Sequence, residues 1–145
     1  KLTDYYLINA SRNEHMVNTL LPAKNKKQIV VCDRFVDSTY AYQVIGSGIN
    51  KKLNLFNQKY ILKNLKPDLT IILKSNFGVV FDRLKKRKLK NKFDKLKINF
   101  YRKAQNAFIN IAKKNKNKYY IFDSSKNDKE LEKKIFQLVL KKIKK

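Results

Sequence analysis

The stretch VVCDRFVDSTYAYQ, residues 30–43, places many polar side chains directly after a β-branched apolar run. Asp33 and Arg34 follow that run, and further donors and acceptors come soon after, at Ser38, Thr39, Tyr40, Tyr42 and Gln43. A guanidinium offers a planar fork of donors that suits a phosphate. The adjacent carboxylate could orient that arginine or interact with a metal-bound water. A structural Asp–Arg ion pair would explain the same two residues, so the spacing alone leaves both interpretations open.

Two other features could add positive charge to such a site. Arg12 falls on the polar face of a predicted helix, where it could reach into the same cleft, although an arginine on a polar face is more often simply solvated. The basic segment RLKKRKLKNK, residues 83–92, could close over a polyphosphate, or could be a solvated lysine-rich loop. The single histidine, His15, has no cysteine or carboxylate cluster beside it, so the sequence does not predict a metal site.

Three predicted strands determine where these residues lie. The runs QIVVCD (28–33), LTIIL (69–73) and KYYIFD (118–123) are typical of short buried strands. Helices are predicted over 3–21, from near Ser38, and over 52–65, 76–88, 94–114 and 128–143. This alternation favours an α/β fold with a parallel sheet covered on both faces. Ligands bind beyond the carboxyl ends of such strands, which is where Asp33 and Arg34 are predicted to lie.

The first predicted helix has an apolar stripe at helical spacing, formed by Leu2, Tyr6, Ala10, Val17, Leu20 and Leu21. Ile8, Arg12 and His15 fall on the opposite face. Pro22 is expected to end or bend this helix, because proline lacks the backbone N–H that an α-helix needs. The hydroxyl of Ser38 is expected to cap the short helix that begins near it.

The composition limits the possible classes of protein. The 145 residues suffice for one domain with a core, and no apolar run reaches the roughly 18 residues of a membrane span. The lone Cys32 predicts no disulfide and a reducing cytosol. A net charge of +24 would suit nucleic acid as a partner. However, the lysines are spread among Asn and Ile residues that share AT-rich codons, and no RNP-like motif or zinc-finger spacing appears. A lysine-rich nucleic-acid-binding module is therefore kept only as the alternative function.

The order of these residues resembles the C-terminal two thirds of a thymidylate kinase. In that family a strand is followed by Asp-Arg-aromatic and then by a Ser and an Ala-Tyr-Gln, and here the matching residues are Asp33-Arg34-Phe35 and Ser38-Thr39-Tyr40-Ala41-Tyr42-Gln43. Weaker matches in the same order are Ala10-Ser11-Arg12 with His15 and Leu21-Pro22-Ala23, then Pro67-Asp68-Leu69-Thr70, then Asn91-Lys92-Phe93-Asp94 with Phe100 and Phe108. The resemblance covers nearly the whole chain.

The resemblance implies a P-loop NTPase-like nucleoside monophosphate kinase fold, with residues 1–145 in one domain and a lid at about 84–97. It implies transfer of the γ-phosphoryl group of ATP to dTMP, giving dTDP. It also implies a cytoplasmic enzyme that forms a homodimer through helices such as 3–21, and a Mg²⁺ ion carried by ATP without direct protein ligands. Phosphorylation of a different nucleoside monophosphate remains a further alternative.

The resemblance also implies roles for individual residues. Arg34 would hold the dTMP phosphate, and Asp33 would orient it and lie in the magnesium shell. The dTMP-binding set would be Ile8, Arg12, Arg34, Thr39, Tyr42 and Gln43. Within that set, Arg12, Thr39 and Gln43 would read the base edge, Ile8 would pack against thymine where the family usually has Phe, and Tyr42 would lie under the deoxyribose. The lid residues over the ATP phosphates would be Arg83, Arg87 and Lys92.

Two departures from the family stand out. Lys74 directly follows the strand predicted over 69–73, at a position where the family often has Asp. The glycine-rich G-x-x-x-x-G-K-[ST] loop, which cradles the ATP phosphates, is absent from these 145 residues. In the family that loop precedes the matched region, together with a central strand of the sheet. The sequence is therefore expected to be a fragment that lacks the first strands and has little kinase activity by itself.

Overall fold

The computed structural model describes residues 1–86, 98–126 and 128–143. The chain divides into two compact units, which we call the first unit (Lys1–Lys66) and the second unit (Pro67–Lys145). Within the described ranges, none of the helices combines the length and the apolar character needed to cross a membrane.

The first unit begins with a long helical stretch in three segments. Helix α1 (Leu2–His15) continues as a π-helical turn (Met16–Leu20) and then as α2 (Leu21–Asn25). The prediction of a helix over 3–21 is confirmed. Pro22 does not end the helical stretch as expected, because the stretch continues to Asn25. Pro22 occupies the first turn of α2, just after the wider π turn, and a proline is tolerated at such a position.

The buried face of α1 differs from the predicted apolar stripe. Tyr5, Asn9 and Met16 are buried, whereas Tyr6 of the predicted stripe is 49% exposed. Arg12 lies at helical spacing from the three buried residues and is itself half-buried. Of the two possibilities that the sequence left open for Arg12, the structure therefore excludes a simply solvated side chain. Hydrogen bonds to other elements, described below, explain why a polar face of α1 is turned inward.

Residues 28–33 do not form the predicted buried strand. They have no regular secondary structure, and the side chain of Val31 is 93% exposed. A strand is stabilised by hydrogen bonds to a neighbouring strand, and the described residues of the first unit offer no such neighbour. The β-branched sequence alone does not produce a strand.

Three further helical segments complete the first unit. Helix α3 (Val36–Thr39) continues as a second π-helical segment (Tyr40–Gly46), and α4 spans Lys51–Leu62. The residue that precedes α3 is Phe35, so the prediction that Ser38 caps this helix is wrong. Helix α4 packs against both α1 and the second π-helical segment, so it supports the two elements that carry the candidate site.

The second unit contains a parallel strand pair and its helices. Strands β1 (Thr70–Lys74) and β2 (Tyr119–Asp123) confirm two of the predicted strands, and they pair from Thr70↔Tyr119 to Lys74↔Asp123. The helices described here are α5 (Phe77–Lys86), α6 (Ile98–Lys114) and α7 (Lys129–Ile143). Helix α6 packs against both strands.

Parallel strands joined through helices confirm the predicted α/β class. Leu73 of β1 is 53% exposed, so the described residues do not cover both faces of this sheet as predicted. Two strands present little surface for a second helical layer.

Candidate functional site

Arg34 stands at a sharp turn between the extended segment 28–33 and α3. Its φ of 64° lies in the left-handed region, which residues other than glycine seldom adopt and which costs free energy. Its Nε donates a hydrogen bond to Ser38 Oγ at 3.4 Å, and its guanidinium carbon lies 4.7 Å from the centre of the Tyr42 ring. A strained backbone and two side-chain contacts thus hold an exposed guanidinium in one place.

Arg12 of α1 reaches the same turn from another element. One terminal nitrogen donates to Thr39 Oγ1, and the other donates to the Phe35 carbonyl oxygen at 3.1 Å. Its guanidinium also lies 5.9 Å from the Phe35 ring centre. Burial is the main cause that lowers the pKa of Arg12, and the positive charge of Arg34 acts in the same direction. Arginine nevertheless remains protonated in proteins, so the site contains two cations.

The Asp33–Arg34 ion pair that the sequence left open is not formed in the described structure. Asp33 is exposed, and Arg34 instead contacts Ser38 and Tyr42. The two terminal nitrogens of Arg34 make no hydrogen bond in the described part of the chain, so they can donate to a ligand. Two cations from different elements, one exposed and one half-buried, suit an anionic ligand that also has a polar edge.

The other predicted dTMP-binding residues lie on the same elements. Ile8 is half-buried on α1, one turn before Arg12 and on the same side of the helix. Thr39 is only 1% exposed, and its hydroxyl accepts the hydrogen bond from Arg12. Gln43 is also buried, and the Tyr42 ring faces Arg34. In this structure Thr39 therefore orients Arg12, whereas base-edge contacts for Thr39 and Gln43 and sugar packing for Tyr42 stay predictions.

Cys32 lies beside this turn, before Asp33. Its Sγ donates a long hydrogen bond of 3.7 Å to the Arg34 carbonyl oxygen. Partial burial of the sulfur raises the thiol pKa, although the nearby charge of Arg12 opposes that change. A higher thiol pKa makes the reactive thiolate form less readily.

In the second unit, Arg83 joins α5 to the segment after β2. It donates to the carbonyl oxygens of Ser124 at 2.9 Å and Ser125 at 3.0 Å. At the ends of the two strands, Lys74 Nζ lies 3.6 Å from Asp123 Oδ2. The lysine that stands where the family often has Asp thus forms an ion pair with the neighbouring strand. The predicted role of Arg83 at ATP phosphates stays a prediction. Arg87 and Lys92, with most of the predicted lid, lie outside the described residues.

Two contributors to the candidate site were not predicted from the sequence in the roles that they have in the structure. Ser38 was expected to cap a helix, but it positions Arg34. The carbonyl of Phe35 accepts from Arg12, and no sequence pattern signals a backbone acceptor. Ser38 could have been found, because it is spaced one helical turn from Arg34.

Within the described ranges, no group of three His, Cys, Asp or Glu side chains could hold a metal ion.

Comparisons with known proteins give one consistent family. Residues 1–135 match the family model described as Thymidylate kinase. A thymidylate kinase from Mycoplasma capricolum subsp. capricolum is 34% identical over 146 residues, which cover 98% of this chain and 68% of that protein. A thymidylate kinase from Ligilactobacillus salivarius is 33% identical over 127 residues, which cover 86% of this chain and 61% of that protein.

A solved structure agrees with these matches. The crystal structure of thymidylate kinase from Ehrlichia chaffeensis superposes with a TM-score of 0.66 at 30% sequence identity, covering 86% of this chain and 55% of that one. The present chain thus spans between about half and two thirds of the length of these three proteins.

Proposed function

The chain belongs to the thymidylate kinase family, and we propose that its first unit forms the dTMP-binding part of an enzyme that phosphorylates dTMP to dTDP with ATP. The observation that carries this proposal is the convergence of Arg12 and Arg34 on the turn that holds Phe35. An exposed guanidinium suits the phosphate of a nucleotide, and a half-buried one suits the polar edge of its base.

Arg34 would bind the phosphate of dTMP through its two terminal nitrogens. Ser38 holds Nε, and the Tyr42 ring supports the guanidinium face, so both terminal nitrogens can donate together. Phosphoryl transfer requires the acceptor oxygen to be aligned with the donor phosphorus and the repulsion between phosphates to be reduced. A fixed arginine supplies both alignment and positive charge.

Arg12 would donate to a carbonyl oxygen of the thymine ring. Thr39 and the Phe35 carbonyl hold its two terminal nitrogens, so the guanidinium is preorganised before the base arrives. Ile8 lies one turn away on the same side of α1 and can pack against the ring. Thr39 and Gln43 at the base edge and Tyr42 under the deoxyribose complete the proposed dTMP set.

A magnesium ion carried by ATP fits the residues of this site. The exposed carboxylate of Asp33 alone does not make a metal cage, but it can hydrogen-bond to a water of an ion that phosphates hold. Such an ion would neutralise charge on the transferred phosphoryl group. Asp33 would orient a bound water, and it would not be a direct ligand.

The ATP side of the proposed reaction involves the predicted lid residues Arg83, Arg87 and Lys92. The 145 residues contain no G-x-x-x-x-G-K-[ST] loop, so we propose that they bind dTMP but form little dTDP by themselves. Turnover comparable to that of a longer thymidylate kinase would contradict this part.

We also propose a cytoplasmic homodimer without a specific nucleic-acid partner. Exposed apolar side chains on α1, Leu2, Tyr6 and Leu7, support a dimer contact there.

Ligand-dependent thermal stability tests the proposal. The melting temperature is expected to rise in a saturable way with dTMP, and to rise less with dUMP, dCMP or dGMP. Arg12→Ala should weaken stabilisation by dTMP but not by 2-deoxyribose 5-phosphate, whereas Arg34→Ala should weaken both. Failure of dTMP to stabilise the wild-type protein would overturn the proposed function, and an equal response to all four nucleotides would overturn the choice of acceptor.

A further inference from the structure

A buried polar cluster joins α1 to α4 behind the candidate site. The side chains of Tyr5 and Asn54 are both 0% exposed. The Tyr5 hydroxyl donates to Asn54 Oδ1 at 3.5 Å and accepts from Asn57 Nδ2 at 3.1 Å. On α1 itself, Asn9 is buried and its Nδ2 donates to the Tyr5 carbonyl oxygen at 2.8 Å. One phenol oxygen is thus held by two amides from α4.

This cluster is a costly way to pack two helices. Asn54 Nδ2 is buried without a hydrogen-bond partner in the described structure, and an unpaired buried donor destabilises the folded state. An apolar pair of similar volume would avoid that cost. Hydrogen bonds are directional, so a phenol held by two amides restricts the rotation of α1 against α4. Apolar contacts would permit small rotations of the helix.

The rotation of α1 decides where Arg12 points. Tyr5, Asn9, Arg12 and Met16 lie on one face at helical spacing, so turning α1 about its axis would move all four together. Helix α4 packs against α1 and also against the second π-helical segment, which carries Tyr42 and Gln43. The cluster therefore lies on the helix that packs against both α1, which carries Arg12, and the segment that carries Tyr42 and Gln43.

We propose that Tyr5 is a positioning residue for base recognition, because its hydroxyl, held by Asn54 and Asn57, fixes α1 at the rotation that aims Arg12 at the pyrimidine. This inference rests on the proposed function. It adds a residue that affects which base is bound without touching the ligand itself. It concerns the base more than the phosphate, because the Arg34 guanidinium contacts Ser38 and Tyr42, and neither residue belongs to α1.

Calorimetric titration of the whole chain with two ligands tests the inference. Tyr5→Phe keeps the ring and removes only the hydroxyl. The dissociation constant for dTMP is expected to rise about fivefold, because misaligned Arg12 would lose binding energy on the scale of one hydrogen bond to the base. The dissociation constant for 2-deoxyribose 5-phosphate, which has no base, is expected to change by less than about twofold, within the scatter of an uncoupled substitution.

Two further variants provide the controls. Asn57→Ala removes the second contact to the same hydroxyl at a half-buried position, and should reproduce the split between the two ligands even if Tyr5→Phe does not fold. The double variant should bind dTMP no more weakly than Tyr5→Phe, because Tyr5→Phe already removes the hydrogen bond that Asn57→Ala removes. Tyr60→Phe removes a hydroxyl from an exposed tyrosine on α4 and should leave both constants unchanged.

The outcomes separate this inference from the proposed function. Wild-type binding of dTMP with no change in Tyr5→Phe and Asn57→Ala would overturn the positioning role alone. An equal loss of both ligands would assign Tyr5 to general stability and would also overturn it. Absence of dTMP binding by the wild-type protein would overturn the proposed function and this inference together.

Discussion

At the scale of single residues, the site depends on how two arginines are held. Arg34 adopts a left-handed backbone conformation that places its exposed guanidinium over Tyr42, and Arg12 is half-buried with two hydrogen-bond acceptors. The residue pattern alone named Arg34 as a candidate phosphate ligand and left Arg12 open, and only the resemblance to the family implied that Arg12 contacts the base. The sequence could not identify their supports, because a backbone carbonyl and a left-handed turn have no sequence pattern of their own.

The raised pKa of Cys32 leads to a prediction for its reactivity with pH. Burial raises the thiol pKa, so the thiolate should form only at a higher pH in the folded protein than in the unfolded chain. The rate of alkylation by iodoacetamide should therefore reach its midpoint at a higher pH in buffer than in concentrated urea. Cys32 is the only cysteine, so the rate reports this residue alone. A folded-state midpoint equal to or below the unfolded one would contradict the assigned environment.

At the scale of elements, the helices were predicted better than their faces. The helix predicted over 52–65 is observed as Lys51–Leu62, and the helix predicted over 128–143 is observed as Lys129–Ile143. The buried face of α1 was predicted wrongly, because Asn9 and Arg12 point inward towards polar partners. Hydrophobic periodicity finds a helix, but it assumes that apolar side chains lie inside. A helix that buries polar groups in specific hydrogen bonds breaks that assumption.

The start of α4 provides a test of its contribution to stability. Asn50 Oδ1 accepts hydrogen bonds from the backbone N–H groups of Lys52 at 2.8 Å and Leu53 at 3.2 Å. Asn50→Ala removes these bonds and should lower the free energy of unfolding by about 1 kcal/mol, measured by urea denaturation. Asn50→Asp keeps an acceptor and should remain close to wild type. If both variants were equally stable, α4 would not depend on this cap.

At the scale of the whole molecule, the apolar runs formed strands where they had a neighbouring strand to pair with, whatever the strand propensity of their residues. The runs at 69–73 and 118–123 became strands because each is the other's neighbour in the described structure, while the equally β-branched run at 28–33 did not. Whether a run has a partner is a property of the fold and cannot be read from the run itself. The resemblance to a family placed all three runs in one sheet, and the structure shows only two of them paired.

The most direct test of the account follows the arginine side chains themselves. In protein labelled with ¹⁵N, the Nε–H signals of Arg12 and Arg34, assigned through Arg→Lys variants, can be followed during titration. With dTMP both signals should shift along one saturable curve, and with 2-deoxyribose 5-phosphate only the Arg34 signal should shift. A saturating titration with dTMP that leaves the Arg34 signal in place would contradict the assignment of this turn as the site that binds the phosphate.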